Sequence, residues 1–146
     1  MPDARALRIH IYDWLLERGT PPTLRELSRH FGEPETDLRR AVADLRIGKT
    51  VLPHPTTGEI WMAGPFASAE SPYRVAGRKA WWWANCAWDM FGVAVIANEA
   101  VRIDARCADC GAAMALRGDP NREPTEDAVV HFLVPARHWY DDIGFT

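Results

Sequence analysis

The sequence predicts an α+β protein, in which an N-terminal winged helix-turn-helix packs on a C-terminal domain with a tryptophan-rich helix and an antiparallel sheet. Residues 1–65 hold three helical apolar patterns and then two short apolar stretches joined by a turn, the element order of a winged helix. Residues 66–146 add three consecutive tryptophans and segments with alternating apolar and polar side chains, which is typical of half-buried strands. A loop over residues 64–77, rich in proline, serine and glycine, separates the two predicted domains, 1–65 and 66–146.

The three predicted helices of the N-terminal part each carry a start or stop signal. Gly19 ends the first helix, and Gly32 ends the second. Thr23 and Glu26 form a capping box, in which each side chain satisfies a free backbone amide of the other residue. Pro34 opens the third helix. The expected buried faces are Leu7, Ile11, Trp14 and Leu15 in the first helix, Leu24, Leu27 and Phe31 in the second, and Leu38, Ala41, Val42 and Leu45 in the third.

Further elements are predicted from apolar periodicity and turn residues. A β-hairpin follows the three helices, the tryptophan run belongs to a fourth helix, and three later strands complete the sheet. A tight turn through residues 107–111 joins the first two of these later strands. The predicted ranges are 51–52 and 60–62 for the hairpin, 79–91 for the helix, and 100–107, 113–116 and 128–134 for the later strands.

Composition excludes several classes of protein. Of the 146 residues, 47% are hydrophobic and 25% are charged, which is typical of a globular protein and not of a disordered or fibrous one. The longest uncharged apolar run, residues 91–97, is far shorter than the ~20 residues of a membrane-spanning helix. Because the N-terminal segment shows no secretion signal, we expect a cytoplasmic protein whose three cysteines are thiols and not a disulfide framework.

The charge distribution argues against nucleic-acid binding. The net charge is −3, with nine basic and nine acidic residues in 1–65 and eight basic and eleven acidic residues in 66–146. Such a chain lacks the general attraction to phosphates that supplies most non-specific affinity. The helix that would enter the major groove begins near Glu33, Glu35 and Asp37, and only Arg39 and Arg40 follow. We therefore expect the winged helix to be a structural or interaction module.

Cys86 and Asp89 are the first candidates for chemistry. They lie three residues apart in a segment predicted to be helical, and this spacing brings two side chains to one helix face, about 5–6 Å apart at Cβ. A carboxylate beside a thiol can accept the thiol proton while the sulfur binds an electrophile, and can then return that proton to a leaving group. Exclusion of water by the tryptophans raises the pKa of Asp89. The alternative is a buried, inert Cys86 beside a capping or ion-paired Asp89.

Cys107 and Cys110 have the spacing of half a zinc knuckle, in which a turn between strands points two sulfurs at one ion. A closed zinc site needs two more ligands, and the available side chains are Cys86, His131 and His138. No second cysteine pair of this spacing occurs in the chain. The alternatives are a small apolar role for Cys107 and an ordinary hydrogen-bonded role for His131 on the predicted strand.

The run WWWANCAWDMFGVAVIANEAVRIDARCADCG resembles the catalytic stretch of alkylmercury (organomercurial) lyases. The resemblance implies that Cys86 is the first catalytic cysteine, that Asp89 is the catalytic aspartate, and that Cys107 is structural and does not bind mercury. It also implies that the N-terminal module has the form of a DNA-binding unit without that role. The stretches EDAVVHFLVP and RHWYDDIGF are similar to the segment that leads to the family's second catalytic cysteine.

Two residues depart from the family pattern. Tyr140 stands where the family has its second mercury-binding cysteine, and Cys110 is an addition. Because a soft, linearly coordinated metal prefers two thiolates, Cys110 is the expected second thiol, provided that its turn reaches Cys86.

The resulting hypothesis is protonolysis of a carbon–mercury bond in a small organomercurial substrate. Cys86 is the nucleophilic ligand, Asp89 is the proton carrier, and no resident cofactor is required. Cys86, Cys110 and Cys107 are the thiols expected to meet a soft metal ion such as mercury, zinc or copper. Three alternatives stay open: a relative that uses the same Cys–Asp pair on a different small substrate, a non-enzymatic thiol metal-binding protein, and a metal-responsive winged-helix regulator.

Overall fold

The helices come mainly from the first third of the chain, and most of the strands follow. A computed structural model of the protein describes residues 1–125 and 127–145. The α-helices within these residues are α1 (Ala4–Arg18), α2 (Leu24–Phe31), α3 (Glu35–Leu45) and α4 (Asp89–Ala97). The strands are β1 (Val51–Pro53), β2 (Ile60–Ala63), β3 (Phe66–Ala67), β4 (Tyr73–Ala76), β5 (Trp81–Ala84), β6 (Val101–Arg106) and β7 (Ala113–Gly118).

The strands of the described residues form one antiparallel sheet in the order β1-β2-β3-β5-β4-β6-β7. β5 lies in the middle, where it pairs with β3 on one side and with β4 on the other. This arrangement confirms the predicted α+β class with an antiparallel sheet. β1 and β2 lie before residue 65 but belong to the same sheet as the later strands. The sheet therefore contains strands from both sides of this residue. The domain boundary placed there, and the winged-helix interpretation of the first part, stay predictions.

The first three helices form where the sequence predicts them. The C-cap residues Gly19 and Gly32 have φ of +79° and +68°, a left-handed backbone that favours glycine. The capping box is present, since Thr23 Oγ1 accepts from the Glu26 amide at 3.2 Å and Glu26 Oε2 accepts from the Thr23 amide at 2.8 Å. The fully buried members of the predicted faces are Leu7, Ile11, Leu15, Leu24, Leu27, Leu38 and Val42.

The helix predicted over residues 79–91 is wrong. Trp81–Ala84 is the central strand β5, and the helix α4 begins only at Asp89 and continues to Ala97. In β5 the side chains alternate: Trp82 is buried in the core, whereas Trp81 and Trp83 share the opposite face with ring centroids 5.2 Å apart. Three bulky aromatic residues thus fill a strand that is paired on both sides.

Two other sequence predictions also need correction. The segment 64–77, predicted as a loop, contains β3 and β4, which supply the two partners of β5. The strand predicted over 128–134 is absent, because these residues have no regular secondary structure and pair with no described strand. By contrast, β6 and β7 confirm the predicted hairpin, with Val101, Ile103 and Ala105 buried in alternation.

The core lies between the helices and one face of the sheet. Its largest side chain with less than 2% exposure is Trp82, whose indole N–H donates to the carbonyl oxygen of Leu15 at 2.7 Å. This contact joins the central strand to α1. In the part of the chain that is described, no helix combines the length and apolarity that crossing a membrane requires.

Candidate functional site

Cys86 lies in the short turn between β5 and α4. The preceding Asn85 amide donates to the carbonyl oxygen of Pro65 at 3.0 Å, which holds the end of β5 against the turn between β2 and β3. The Met90 amide donates to the carbonyl oxygen of Cys86 at 3.1 Å, which ties the turn to the first turn of α4. The prediction of one helix holding both Cys86 and Asp89 is therefore wrong, because Cys86 precedes the helix that Asp89 begins.

The two side chains nevertheless meet. The turn before α4 brings residues three apart close together, so that the thiol of Cys86 and the carboxyl group of Asp89 each shift the pKa of the other. The side chain of Asn85 also lies near this carboxyl group and lowers its pKa. The structure thus brings together the predicted pair through a turn instead of a helix face.

The electrostatics of the pair favour the protonated forms. Burial raises the pKa of the Cys86 thiol, and the negative charge of Asp89 raises it further, while the backbone amides of Asp89 and Trp88 partly oppose both. Burial also raises the pKa of Asp89, against the opposing effects of the Asn85 and Cys86 side chains. At neutral pH Cys86 is therefore a thiol, and the carboxyl group beside it holds a proton more readily than it would in water.

A cavity of about 170 Å³ opens beside this pair. Aromatic side chains form much of its wall: the ring centroids of Trp88 and Phe132 are 6.2 Å apart, and those of Phe132 and Trp139 are 5.0 Å apart. Trp88, 61% exposed, stands where the cavity meets the solvent. The lining residues are Lys49, Thr50, Leu52, Met62, Gly64, Asn85, Cys86, Trp88, Asp89, Phe132, Trp139, Tyr140 and Ile143.

A second cavity, of about 130 Å³, lies on another side of the same cysteine. Its wall includes Tyr73 from β4 and His131 from the C-terminal segment, together with Phe132 and Trp139, which line the first cavity as well. The C-terminal segment 131–145, which contains one 3₁₀ turn at Ala136–His138 and otherwise no regular secondary structure, thus covers Cys86. His131 lies near the site although the strand predicted for it does not form.

Tyr140 lines the first cavity together with Cys86 and Asp89. Its hydroxyl group donates to the carbonyl oxygen of Lys49 at 3.1 Å, and the Lys49 ammonium group lies 4.5 Å from the centre of its ring. The chain thus has a tyrosine in the cavity at the position where the resemblance places the family's second mercury-binding cysteine.

Asn85 is a part of the site that the sequence does not predict, and Tyr12 lies near it. The Tyr12 hydroxyl donates to the carbonyl oxygen of Gly64 at 2.7 Å. Burial raises the pKa of Tyr12, Arg8 lowers it, and the negative charge of Asp89 raises it, which places α1 close to the pair. Asn85 Oδ1 is buried and has no hydrogen-bond partner among the described residues. The sequence does contain a signal for Asn85, because it is a polar amide in an otherwise apolar run of tryptophans. It contains no comparable signal for Tyr12.

The other two cysteines lie apart from this pair. Cys107 and Cys110 belong to the turn between β6 and β7, and neither lines the two cavities around Cys86 as the described residues define them. Across residues 1–125 and 127–145, no group of three or more His, Cys, Asp or Glu side chains is arranged to hold a metal ion. Cys110 as a second thiol for Cys86, and Cys107 as a structural residue, stay predictions.

Comparisons with known proteins place the chain in a family. The family model described as "MerB: Alkylmercury lyase" matches residues 66–145, more than half of the chain. A solved structure, "Crystal structure of the mercury-bound form of MerB2", has the same fold, with a TM-score of 0.64 at 16% identity. The match covers 87% of this chain and 62% of that chain, so the protein spans less than two thirds of the solved relative. No curated protein matches the sequence. With the 80 residues 66–145 matched by that family model, the chain belongs to the alkylmercury lyase family.

Proposed function

We propose that the protein cleaves the carbon–mercury bond of small organomercurial compounds by protonolysis, with Cys86 as the mercury ligand and Asp89 as the proton carrier. The observation that carries the proposal is the proximity of these two side chains in the wall of one aromatic-lined cavity. Membership of the alkylmercury lyase family supports the choice of substrate class.

In the first step the Cys86 sulfur binds the mercury of an organomercurial cation. The S–H bond breaks and the S–Hg bond forms, while the proton passes to the neighbouring Asp89 carboxylate. The raised pKa of both groups suits this step, because it keeps the proton at the site until the metal arrives. The thiolate then exists only as a metal ligand.

In the second step Asp89 gives that proton to the carbon bound to mercury. The C–Hg bond breaks, its electron pair forms the new C–H bond, and the hydrocarbon leaves. The mercuric ion stays on the Cys86 thiolate, and Asp89 is again a carboxylate. One proton is thus consumed for each hydrocarbon released, and no electron donor or acceptor is needed.

The surrounding side chains assist in two ways. Trp88, Phe132 and Trp139 provide apolar contact for the organic group and reduce access of water to the pair, which strengthens the interaction between the charges. The unpartnered Oδ1 atom of Asn85 lies beside the pair and can accept a hydrogen bond from the protonated Asp89. Asn85 is therefore a positioning residue for the proton carrier.

A mercuric ion prefers two soft ligands, and the described cavity wall offers one thiol. Cys110, the expected second thiol, lies in the turn between β6 and β7, outside the wall. We therefore propose that a low-molecular-weight thiol from solution fills the second position and removes the product ion. Turnover should then depend on added thiol.

The test is hydrocarbon release from a phenylmercury salt in the presence of excess low-molecular-weight thiol. The unmodified protein should release benzene, Cys86→Ser should release none above the thiol background, and Cys110→Ser, a matched control, should retain release. Release by Cys86→Ser at the rate of the unmodified protein would remove this cysteine from the reaction. Absence of release by the unmodified protein would reject the lyase function.

Tyr140 favours one second candidate, a family member that uses the same Cys–Asp pair on a different small electrophile. Its ring occupies the wall where a second thiol would be needed for mercury chemistry. Two results together would identify this candidate. The unmodified protein would release no benzene, and its Cys86 would react with a small alkylating agent at a rate that falls in Asp89→Asn.

A further inference from the structure

The turn between β6 and β7 fixes the positions of two cysteines. The Gly111 amide donates to the carbonyl oxygen of Cys107 at 2.9 Å, and the Cys107 amide donates to the carbonyl oxygen of Ala112 at 2.9 Å. Gly111 has a φ of +71°, in the left-handed region that favours glycine. The chain from Cys107 to Gly111 is thus a closed turn whose backbone holds Cys107 and Cys110 on one short loop.

The sulfur of Cys107 is surrounded by hydrogen-bond donors from its own turn. The backbone amides of Cys110 and Asp109 and the thiol of Cys110 lie within hydrogen-bonding reach of this sulfur. Cys107 is half-buried and Cys110 is exposed. The turn therefore presents two neighbouring sulfurs, and that of Cys110 is open to solvent.

The number of nearby ligands selects the kind of metal. A structural zinc ion needs four ligands, but no third His, Cys, Asp or Glu joins these two cysteines in a metal-binding group among the described residues. Two thiolates without further donors suit a soft ion that accepts two-coordinate, linear binding. Among the described residues, neither Cys107 nor Cys110 lines the cavities around Cys86.

We propose that Cys107 and Cys110 form a second metal site, which binds one soft, two-coordinate metal ion through both sulfurs, independently of Cys86. With the mercuric ion as probe, two S–H bonds break, two S–Hg bonds form, and two protons are released to solvent. No oxidant or reductant takes part. The site does not depend on the proposed lyase function, since it needs neither Asp89 nor the cavity.

The test uses the full chain carrying Cys86→Ser, so that the proposed active site contributes no thiol. Mercuric chloride is titrated into the reduced protein without added thiol, and bound metal and released protons are measured. Alkylation followed by mass spectrometry then identifies the protected cysteines. We expect one mercuric ion per chain, about two protons released per ion at a pH below the ordinary thiol pKa, and protection of both Cys107 and Cys110.

The decisive comparison adds Cys110→Ser to the Cys86→Ser chain. Because Cys110 is exposed, this change should leave the melting temperature unchanged. Metal binding should then release about one proton in place of two, and its affinity, measured against a competing low-molecular-weight thiol, should fall. Unchanged proton release and unchanged affinity in that double variant would overturn the two-thiol site. So would one ion per two chains, which would mean a metal shared between copies, or alkylation of both cysteines despite bound mercury.

Discussion

The indole N–H of Trp82 donates to the carbonyl oxygen of Leu15 across a distance of 2.7 Å, inside the core. The two residues are 67 positions apart, and the contact joins the central strand to the first helix. Cys86 lies two residues after the end of this strand. The hydrogen bond therefore links α1, through β5, to the candidate site. Tyr12, on the same helix, lies close enough for the negative charge of Asp89 to raise the pKa of its hydroxyl group.

Trp82→Phe should therefore lower stability. It removes the buried donor and part of a fully buried ring, and we expect a loss of about 1–3 kcal/mol in the free energy of unfolding. Denaturant unfolding followed by circular dichroism measures it. Trp81→Phe is the matched control, since Trp81 is 44% exposed and should cost clearly less. Equal losses for the two variants would contradict the role given to the Trp82 hydrogen bond.

Asp89→Asn should raise stability at neutral pH. The folded protein raises the pKa of Asp89 above its ordinary value of 3.8, mainly through burial, so ionisation favours the unfolded chain. The contribution of this group to the free energy of unfolding is fully present below pH 3.8. It is lost as the pH rises through the pKa that Asp89 has in the folded protein. The gain in melting temperature for the asparagine variant should thus be large at neutral pH and should shrink as pH falls toward 3.8.

Glu99→Gln should shift the melting temperature in the direction opposite to that of Asp89→Asn. Burial tends to raise the pKa of Glu99, but the hydrogen bonds and charge of Arg78 outweigh burial and lower it below 4.5. The carboxylate therefore stabilises the fold above pH 4.5, and this contribution disappears as pH falls through the folded pKa. Glu99→Gln should lower the melting temperature at neutral pH. A shift of the same sign in both variants would contradict these assignments.

His10 should make the fold sensitive to mild acid. Its ring stacks on His30 with centroids 3.6 Å apart, and its Nε2 atom is buried without a hydrogen-bond partner among the described residues. Burial and then the charge of His30 lower the pKa of His10, against the smaller opposing effects of Asp13 and Glu17. Since the unfolded chain binds the proton first, stability should fall as pH drops below 6.5.

The measurement is the melting temperature across this pH range for His10→Phe, which keeps an aromatic ring and cannot bind a proton. The variant should lose part of the decrease seen below pH 6.5. An identical pH profile for His10→Phe and the unmodified protein would rule out His10 as the group that titrates.

Tyr140→Cys should strengthen mercury binding at the candidate site. Tyr140 and Cys86 line the same cavity, so the change adds a second thiol where a linear ion can use it. The binding constant for the mercuric ion, measured by competition with a low-molecular-weight thiol in a Cys107→Ser/Cys110→Ser background, should rise. Tyr140→Ser is the matched control, because it loses the hydrogen bond to Lys49 without adding sulfur. Equal affinity in the two variants would place position 140 out of reach of the metal.

Signals within a few residues of sequence are sufficient to predict the first three helices and the hairpin of β6 and β7. Thr23 with Glu26, Gly19 and Gly32 act on their own neighbours, and the alternation from Val101 to Ala105 lies within one strand. These features can be seen in a short window of sequence.

The tryptophan run could not be interpreted in this way. Three consecutive aromatic residues match neither a helical nor a strand period, and the outcome depends on pairing with β3 and β4, which the sequence does not reveal locally. Conversely, residues 128–134 have a strand-like composition but find no partner strand in the described part of the sheet. The Cys86–Asp89 pair was predicted for a reason that proved wrong, since a turn before α4 provides the same proximity.

The most direct test of the proposed chemistry is a single-turnover measurement on Asp89→Asn with a phenylmercury salt. Bound mercury, monitored by protection of Cys86 from alkylation, is compared with benzene released. We expect the asparagine variant to protect Cys86 as the unmodified protein does, whereas its benzene release should be slower by about 10²–10⁴-fold, the usual contribution of a positioned proton donor. Benzene release by Asp89→Asn at the rate of the unmodified protein would rule out Asp89 as the proton carrier.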